Sequence, residues 1–283
     1  MEREHSRLVA QTRRISPGSG LNVDTAMPCA RPVRPAWSEP SPRALPSHLQ
    51  ALAGAAYLAA LLALDHYASY PEQLALGALT WVVLAAALTR VPLERRAQAL
   101  GVVVFATIGE VTGSLIWGVY TYRLHNLPLF VPPAHGLVYL TGLALARSLA
   151  RHARALVIVA ATGAATWGVL GLFVLARRDV AGALLVPMLL LFLWRGRNRE
   201  IYAGVFVVVA ALELYGTAIG TWRWARELPG LGIPDGNPPS GVASGYVWFD
   251  VMALLIAPYI VGLTRRLNSH PERTTYTASE GAP

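Results

Sequence analysis

Two glutamates, Glu110 and Glu213, each lie inside a long apolar run, and each begins nearly the same local pattern. The pattern is Glu-x-x-Gly followed by Gly-x-aromatic-x-aromatic, with one residue fewer between the two glycines of the second copy. A carboxylate at hydrocarbon depth costs about 2.5 kcal/mol or more on insertion scales. Two such carboxylates in matching patterns therefore predict a duplicated functional site.

The chemistry that suits such glutamates is general-acid catalysis. A protonated carboxylic acid in a dry site is the group required to protonate a hydrocarbon. The alternative is that each glutamate only holds the helices together, by bonding a hydroxyl or an arginine such as Arg123 or Arg223. The remaining residues of the two copies are Gly113, Gly118, Tyr120 and Tyr122, then Gly216, Gly220, Trp222 and Trp224.

Asp250 is a third carboxylate inside an apolar run and follows Trp248 by two residues. Opposite Glu213 it could divide the acid and base roles with that residue, because neighbouring carboxylates favour different protonation states. A packing bond to a Thr or Tyr of a neighbouring helix explains Asp250 equally well. Asp65 and Glu72 flank a short outer turn, so we expect both to be solvated.

Six aromatic residues accompany these acids: Trp117, Tyr120, Tyr122, Trp222, Trp224 and Trp248. An aromatic belt at the membrane interface explains any one of them. Alternate residues of an extended stretch face the same way, however, so the Tyr-x-Tyr and Trp-x-Trp pairs predict an aromatic wall. Such a wall binds apolar chains and stabilises carbocations through its ring faces. Asn237 is by default a turn residue and could instead orient a water over the pocket.

Histidine and cysteine do not predict a metal or redox site. His125 and His135, considered with Glu110, match no metal-binding spacing, so we expect neither a metal ion nor another cofactor. The single cysteine, Cys29, excludes an internal disulfide framework and a thiolate cluster.

Composition indicates a polytopic membrane protein. Of the 283 residues 54% are hydrophobic and 14% charged, and the mean hydropathy is +0.43. That is too little polar surface for a soluble domain of this size. The apolar runs lack the alternation of barrel strands, so an all-α helical bundle is predicted. We predict eight spans, at residues 48–66, 72–89, 98–117, 131–147, 154–176, 180–194, 201–220 and 241–263.

The repeated pattern, offset by about 103 residues, predicts two four-helix repeats. An even number of spans in each repeat makes the halves parallel in the membrane. The first repeat is predicted at residues 48–147 and the second at 148–264. The Arg- and Pro-rich tail 1–47 and the tail 265–283 are predicted to be disordered. The proline-rich segments that follow the aromatic pairs are expected to form rigid caps on a cavity.

The net charge of +8 is explained by membrane topology. All 24 basic residues are arginines, and all except five lie on one side of the eight-span arrangement. Positive charge marks the cytoplasmic side, so we expect both termini in the cytoplasm and a location in the inner (plasma) membrane. No nucleic-acid partner is required. The five exceptions are Arg123, Arg177, Arg178, Arg223 and Arg226.

Two windows totalling about 50 residues resemble the carotenoid-biosynthesis membrane proteins that include the bacterioruberin-type carotenoid hydratases. The first window is Glu110-x-x-Gly113, Gly118-x-Tyr120-x-Tyr122 and Pro128-Leu129-x-Val131-Pro132; the second is Gly220-x-Trp222-x-Trp224, Gly232-x-Pro234 and Asn237. Trp117 stands where that family has Phe, and Pro238-Pro239 follow the Asn. The resemblance implies addition of water across a terminal double bond of a carotenoid-like polyene, without a redox cofactor.

Three hypotheses follow for the function. The first is a membrane enzyme, a hydratase or cyclase, that protonates an isoprenoid or carotenoid hydrocarbon with Glu110 or Glu213. The second is a proton-coupled transporter of a lipid or small molecule that uses the same glutamates. The third is a non-catalytic membrane partner in a complex of biosynthetic enzymes.

Overall fold

The structure is a computed structural model that describes residues 45–268, so most of both predicted tails lies outside the described residues. The described chain is mostly helical. Its α-helices are α1 (Ser47–Tyr67), α2 (Tyr70–Thr89), α3 (Leu93–Glu110), α4 (Val131–Ser148), α5 (Ala153–Phe173), α6 (Val180–Ala183), α7 (Val186–Arg195), α8 (Arg199–Ile219) and α9 (Ser240–Asn268).

Six of these helical segments are long and apolar enough to cross a bilayer, as expected for a membrane protein. At 1.5 Å per residue, a helix of about 20 residues spans the roughly 30 Å hydrocarbon core. The six segments are Ser47–Tyr67, Tyr70–Thr89, Leu93–Trp117, Ala150–Phe173, Arg199–Ile219 and Ser240–Arg266.

The other two predicted spans are also helical, but neither is among these six segments. The span predicted at 131–147 is α4, whereas the span predicted at 180–194 is interrupted between α6 and α7. Pro187 explains the interruption, since it lies in the first turn of α7 and a proline ring clashes with the preceding turn of a continuing helix. Helix α9 extends to Asn268, beyond the boundary at residue 265 where the C-terminal tail was predicted to begin.

The helices that carry the two glutamates end in the same way despite their different lengths. Gly118 and Gly220 both adopt the left-handed conformation, with φ of 75° and 79°. The backbone N–H of Gly118 bonds the carbonyl of Gly113, and that of Gly220 bonds the carbonyl of Gly216. Residues Val111–Trp117 form a π-helix, which holds one more residue per hydrogen-bonded turn than an α-helix. The π-helix thus accommodates the extra residue of the first copy.

The strands that follow these glycines pair with each other. Strand β1 (Tyr120–Tyr122) is antiparallel to β2 (Trp222–Trp224), with Tyr120 opposite Trp224 and Tyr122 opposite Trp222. A second small pair joins β3 (Glu227–Leu228) to β4 (Ile233–Pro234). The helices beneath are also paired across the two predicted halves, because α3 packs on α9 and α4 packs on α8. The glutamate-bearing ends of α3 and α8 therefore meet under one sheet.

Buried aspartates anchor the segments that connect this sheet to the helices. Asp65 accepts a 2.7 Å hydrogen bond from Nε2 of Gln73. The Oε1 atom of Gln73 accepts another hydrogen bond from Nδ2 of Asn126. Our expectation that Asp65 is solvated is wrong: it is 1% exposed. Glu72 is exposed and caps α2 by accepting from Ser69 N and Oγ, both at 2.7 Å.

In the second half Asp179 has the corresponding role. Its Oδ1 accepts hydrogen bonds from the backbone N–H groups of Gly182 and Gly236, and its Oδ2 accepts one from Ser240 N at 2.6 Å. Arg177 donates to the backbone carbonyl of Asp235 at 2.7 Å and to those of Trp224 and Ala225. These bonds tie the segment after β2 to the start of α6, so they fix the position of the aromatic strand.

The buried carboxyl group of Asp235, next to Asp179 in this segment, predicts a pH dependence of stability. Burial, and then the nearby carboxylate of Asp179, raises the pKa of Asp235 from the ordinary value of 3.8 to about 7. The folded protein therefore retains a proton that the unfolded chain loses, and stability falls as pH rises from about 4 to about 7. Asp235→Asn should flatten that part of the profile of melting temperature in detergent. An unchanged profile in the variant would contradict the assignment.

Candidate functional site

Both repeated glutamates line one cavity of about 410 Å³ beneath the β1–β2 sheet. Tyr120, Tyr122, Trp222, Trp224 and Trp248 also line it. A cavity of this size lies within the range of about 300–1,000 Å³ typical of small-molecule sites. The residues that the repeated pattern singled out are thus brought together in one chamber.

Glu110 is held by three side-chain donors. Its Oε2 accepts hydrogen bonds from the hydroxyls of Tyr120 at 2.6 Å and Tyr122 at 2.7 Å. Its Oε1 lies 3.1 Å from Nε2 of His135. Burial, and next the negative charge of Glu110, raises the pKa of both tyrosines, so the phenols remain protonated donors. The carboxylate is therefore fixed in position and retains one open acceptor site on Oε1.

Glu213 is held in a parallel way by indole groups. Trp222 Nε1 donates to its Oε2 at 2.9 Å and Trp224 Nε1 donates to the same oxygen at 3.3 Å. No side chain of the described residues hydrogen-bonds Oε1. Glu213 is 8% exposed and is close enough to Glu110 for their charges to repel. Because both donors share Oε2, Oε1 is the atom that can carry a transferable proton.

The glycine three residues after each glutamate gives the aromatic side chain room to reach it. A Cβ atom at Gly113 would lie 3.0 Å from Cε1 of Tyr120, and one at Gly216 would overlap the Trp222 ring. Residues three apart share a helix face, so the ring crosses the glycine to reach the carboxylate. The spacing Glu-x-x-Gly is therefore explained by the contact between ring and backbone.

Gly216→Leu should consequently displace Trp222 from Glu213. We expect a change in tryptophan fluorescence, because the displaced Trp222 indole no longer donates to Glu213. Gly262→Leu is the matched control, since a Cβ at Gly262 meets nothing within 4 Å. Unchanged fluorescence in folded Gly216→Leu protein would be incompatible with the assigned contact.

The four rings of β1 and β2 form an aromatic tetrad, defined by Tyr120, Tyr122, Trp222 and Trp224. Ring centroids are 4.5 Å apart for Tyr120 and Trp224, 6.1 Å for Tyr122 and Trp222, and 5.8 Å for the two tyrosines. Alternate residues do face the same side, as the Tyr-x-Tyr and Trp-x-Trp spacing indicated. Their polar atoms bind the carboxylates, a role that spacing did not predict.

His135 and Tyr246 are site residues that the sequence did not identify as a pair. His135, in α4, is 4% exposed, and its Nδ1 lies 2.7 Å from the hydroxyl of Tyr246 in α9. Phe249 packs edge-on to both rings. With Nε2 on Glu110 and Nδ1 on Tyr246, both ring nitrogens of His135 are engaged. His135 therefore orients Glu110 and connects it to α9.

The rest of the lining is apolar. Hydrocarbon side chains come from α1, α4, α7 and α8, while Gly109, Gly241 and Gly245 leave backbone at the wall. The polar groups are thus concentrated at the sheet, and the remaining walls suit a hydrocarbon. Representative apolar residues are Leu58, Leu62, Phe130, Val138, Met188 and Leu212.

Three of the predicted site residues lie outside the cavity lining. Trp117 is 44% exposed and donates its indole N–H to the carbonyl of Pro229 at 2.9 Å. Asn237 accepts from the backbone N–H of Trp224 at 2.9 Å and so positions β2. Asp250 is 1% exposed, and neither of its carboxyl oxygens has a partner within the described chain. None of the three is placed to touch a molecule in the cavity.

Neither a metal-binding group of side chains among the described residues nor a similar known protein indicates the function. Within residues 45–268, no group of three or more His, Cys, Asp and Glu side chains is arranged to hold a metal ion. The chain matches no protein-family model, no curated protein and no solved structure. The functional conclusion therefore depends on the cavity itself.

Proposed function

We propose that this membrane protein is an enzyme that adds water to a double bond at one end of an isoprenoid hydrocarbon, a carotenoid-like polyene being the preferred substrate. The observation that carries the proposal is the pair of buried carboxylates, Glu110 and Glu213, in one largely apolar cavity. Carboxylates are expensive to bury beside hydrocarbon, so two in one chamber favour a chemical role. The resemblance of both sequence windows to carotenoid hydratases supports the same substrate class.

The hydrogen bonds divide the roles between the two glutamates. Glu213 is the general acid: its Oε1 gives a proton to the CH carbon of the terminal double bond, and the π electrons form the new C–H bond. The dimethyl-substituted carbon at the end of the chain becomes a tertiary cation, which the ring faces of the aromatic tetrad stabilise. Glu110 then accepts a proton from a water molecule as the water oxygen bonds to the cation.

The overall step balances without an oxidant or reductant. One water is consumed, one C–H and one C–O bond form, and the proton accepted by Glu110 returns to Glu213 before the next turnover. The His135–Tyr246 pair keeps Glu110 oriented towards the water. Asp250 has no part in the proposed step, because it does not line the cavity.

We further propose that the chain crosses the membrane eight times, as two parallel four-helix repeats with both termini in the cytoplasm. The antiparallel pairing of β1 with β2 is what a two-fold axis along the membrane normal would produce. The crossed packing of α3 on α9 and α4 on α8 supports the same axis. Reporter fusions at both termini should respond as cytoplasmic; an external terminus would contradict this topology.

Expression of the full chain in a lycopene-producing host tests the function. We expect a new, more polar carotenoid that is heavier than its precursor by the mass of one water. Unchanged pigments, with protein that is folded in the membrane, would contradict the proposal. If pH-dependent substrate movement in liposomes is then lost in Glu110→Gln and Glu213→Gln, the transporter hypothesis is supported instead.

A further inference from the structure

A second buried polar cluster lies at the opposite end of the bundle from the cavity, around Arg95. Arg95 is in the first turn of α3, 15 residues before Glu110, which corresponds to about 22 Å along a helix. Its side chain is 3% exposed, yet no carboxylate of the described residues forms an ion pair with it. Its Nη1 donates to Gln98 Oε1 at 2.6 Å, while its buried Nε has no partner there.

An exposed carboxylate near Arg95, that of Glu94, accepts a 3.4 Å hydrogen bond from Gln98 Nε2 but forms no ion pair with Arg95. The hydroxyl of Tyr139 donates to the same Gln98 oxygen at 2.8 Å. Arg147, near the end of α4, lies close enough for its charge to be repelled by that of Arg95, and its own buried Nε also has no partner among the described residues. The cluster thus brings together two guanidinium groups and has more donors than acceptors.

Asp250, the buried aspartate of α9, forms no ion pair with this cluster. The contacts between α3 and α9 place Gly101 against Ala253, and Ala97 in one cluster with Ala257. The two helices therefore run antiparallel, and Asp250 lies on the cavity side of Gly101 while Arg95 lies on the other side. The side chains of Asp250 and Arg95 are therefore buried at separate positions.

A buried charge without a partner is strongly unfavourable, so an anion bound at Arg95, with the partly buried Arg147 nearby, would stabilise the fold. Guanidinium groups bind phosphate oxygens through charge-assisted, often bidentate hydrogen bonds. Basic pockets between helices at the cytoplasmic end of a bundle are typical sites for anionic lipid headgroups. The arginine-rich turns at residues 90–96 and 147–154 lie at this end.

We propose that Arg95 and Arg147, with Tyr139 and Gln98 beside them, bind the phosphate group of an anionic phospholipid. The lipid would stabilise the ends of α3 and α4, the helices that carry Glu110 and His135. This site is separate from the cavity and does not depend on the proposed hydration.

Thermal unfolding of the full chain in neutral detergent tests the site. Phosphatidylglycerol should raise the melting temperature of the unaltered protein, whereas phosphatidylcholine should raise it much less. Arg95→Gln and, independently, Arg147→Gln should remove most of the rise. Arg154→Gln is the matched control, because it removes one exposed arginine from the same end of the bundle. Inorganic phosphate is added in a further arm to separate a free anion from a lipid headgroup.

The outcomes distinguish the sources of the anion. A rise with phosphatidylglycerol alone, lost in Arg95→Gln but kept in Arg154→Gln, supports a lipid site. An equal rise with inorganic phosphate shows that a free anion suffices and overturns the lipid assignment. An equal lipid effect in all variants, or none in the unaltered protein, also overturns it. Arg95→Met gives a second readout: without lipid it should melt no lower than the unaltered protein, and a lower value would show that the chain itself supplies the counterion.

Discussion

Glu213→Gln is expected to reduce product formation by about 10²- to 10⁴-fold, the contribution of a positioned general acid. Glutamine has nearly the same shape and its carbonyl oxygen still accepts hydrogen bonds from Trp222 and Trp224. It cannot donate a proton to the alkene, however. Chromatography of extracted pigments, normalised to membrane protein, measures the loss.

Glu227→Gln is the control for this prediction, since Glu227 is an exposed glutamate in the neighbouring strand β3. It should retain normal activity. Activity of Glu213→Gln within a few fold of the unaltered protein, with normal tryptophan fluorescence, would remove Glu213 from the mechanism.

A tertiary amine with an isoprenoid chain should bind at least about 100-fold more tightly than the hydrocarbon of the same shape. At neutral pH the ammonium group resembles the tertiary cation, and transition-state analogues bind more tightly than substrates by factors of about 10² or more. The ring faces of the aromatic tetrad and the two carboxylates attract the positive charge. Quenching of tryptophan fluorescence in detergent gives both affinities.

This preference should depend on the site residues. Trp224→Leu removes one ring face and an indole donor and should reduce the amine's advantage by about tenfold or more, while hydrocarbon binding changes less. Trp194→Leu is the matched control, since Trp194 is 73% exposed and lies outside the cavity lining. Equal affinities for the amine and the hydrocarbon would show that the cavity does not bind a cation preferentially.

The repeated pattern was sufficient to predict which acids and aromatic pairs meet. Glutamate in an apolar run, glycine three residues later and alternate aromatics are local signals, and each has a direct structural reason. The glycine accommodates the ring, and the strand alternation directs both rings of each pair to one side. The predicted helices also agree with the observed ones, apart from the break before α7. Pro187 was the signal for that break.

The remaining site residues could not be predicted in this way. His135 and Tyr246 come from different helices, 111 residues apart, and neither belongs to the repeated pattern. In the sequence, Asp65 resembles a solvated turn residue. In the fold its carboxylate is hydrogen-bonded by Gln73, which is in turn hydrogen-bonded by Asn126. Asp250 lies in an apolar run like the two glutamates but is not part of the cavity lining. The positions of these side chains depend on contacts between several helices. A single sequence does not show which helices are in contact.

The most direct test of the central claim follows the oxygen atom. Cells that produce lycopene and express the full chain are grown in water enriched in oxygen-18, and the carotenoids are analysed by mass spectrometry. The mechanism predicts a hydroxylated product whose oxygen comes from water and whose amount falls at least about 100-fold with Glu213→Gln. A product oxygen that comes from molecular oxygen, or an undiminished amount of product from the Glu213→Gln protein, would contradict acid-catalysed hydration at this site.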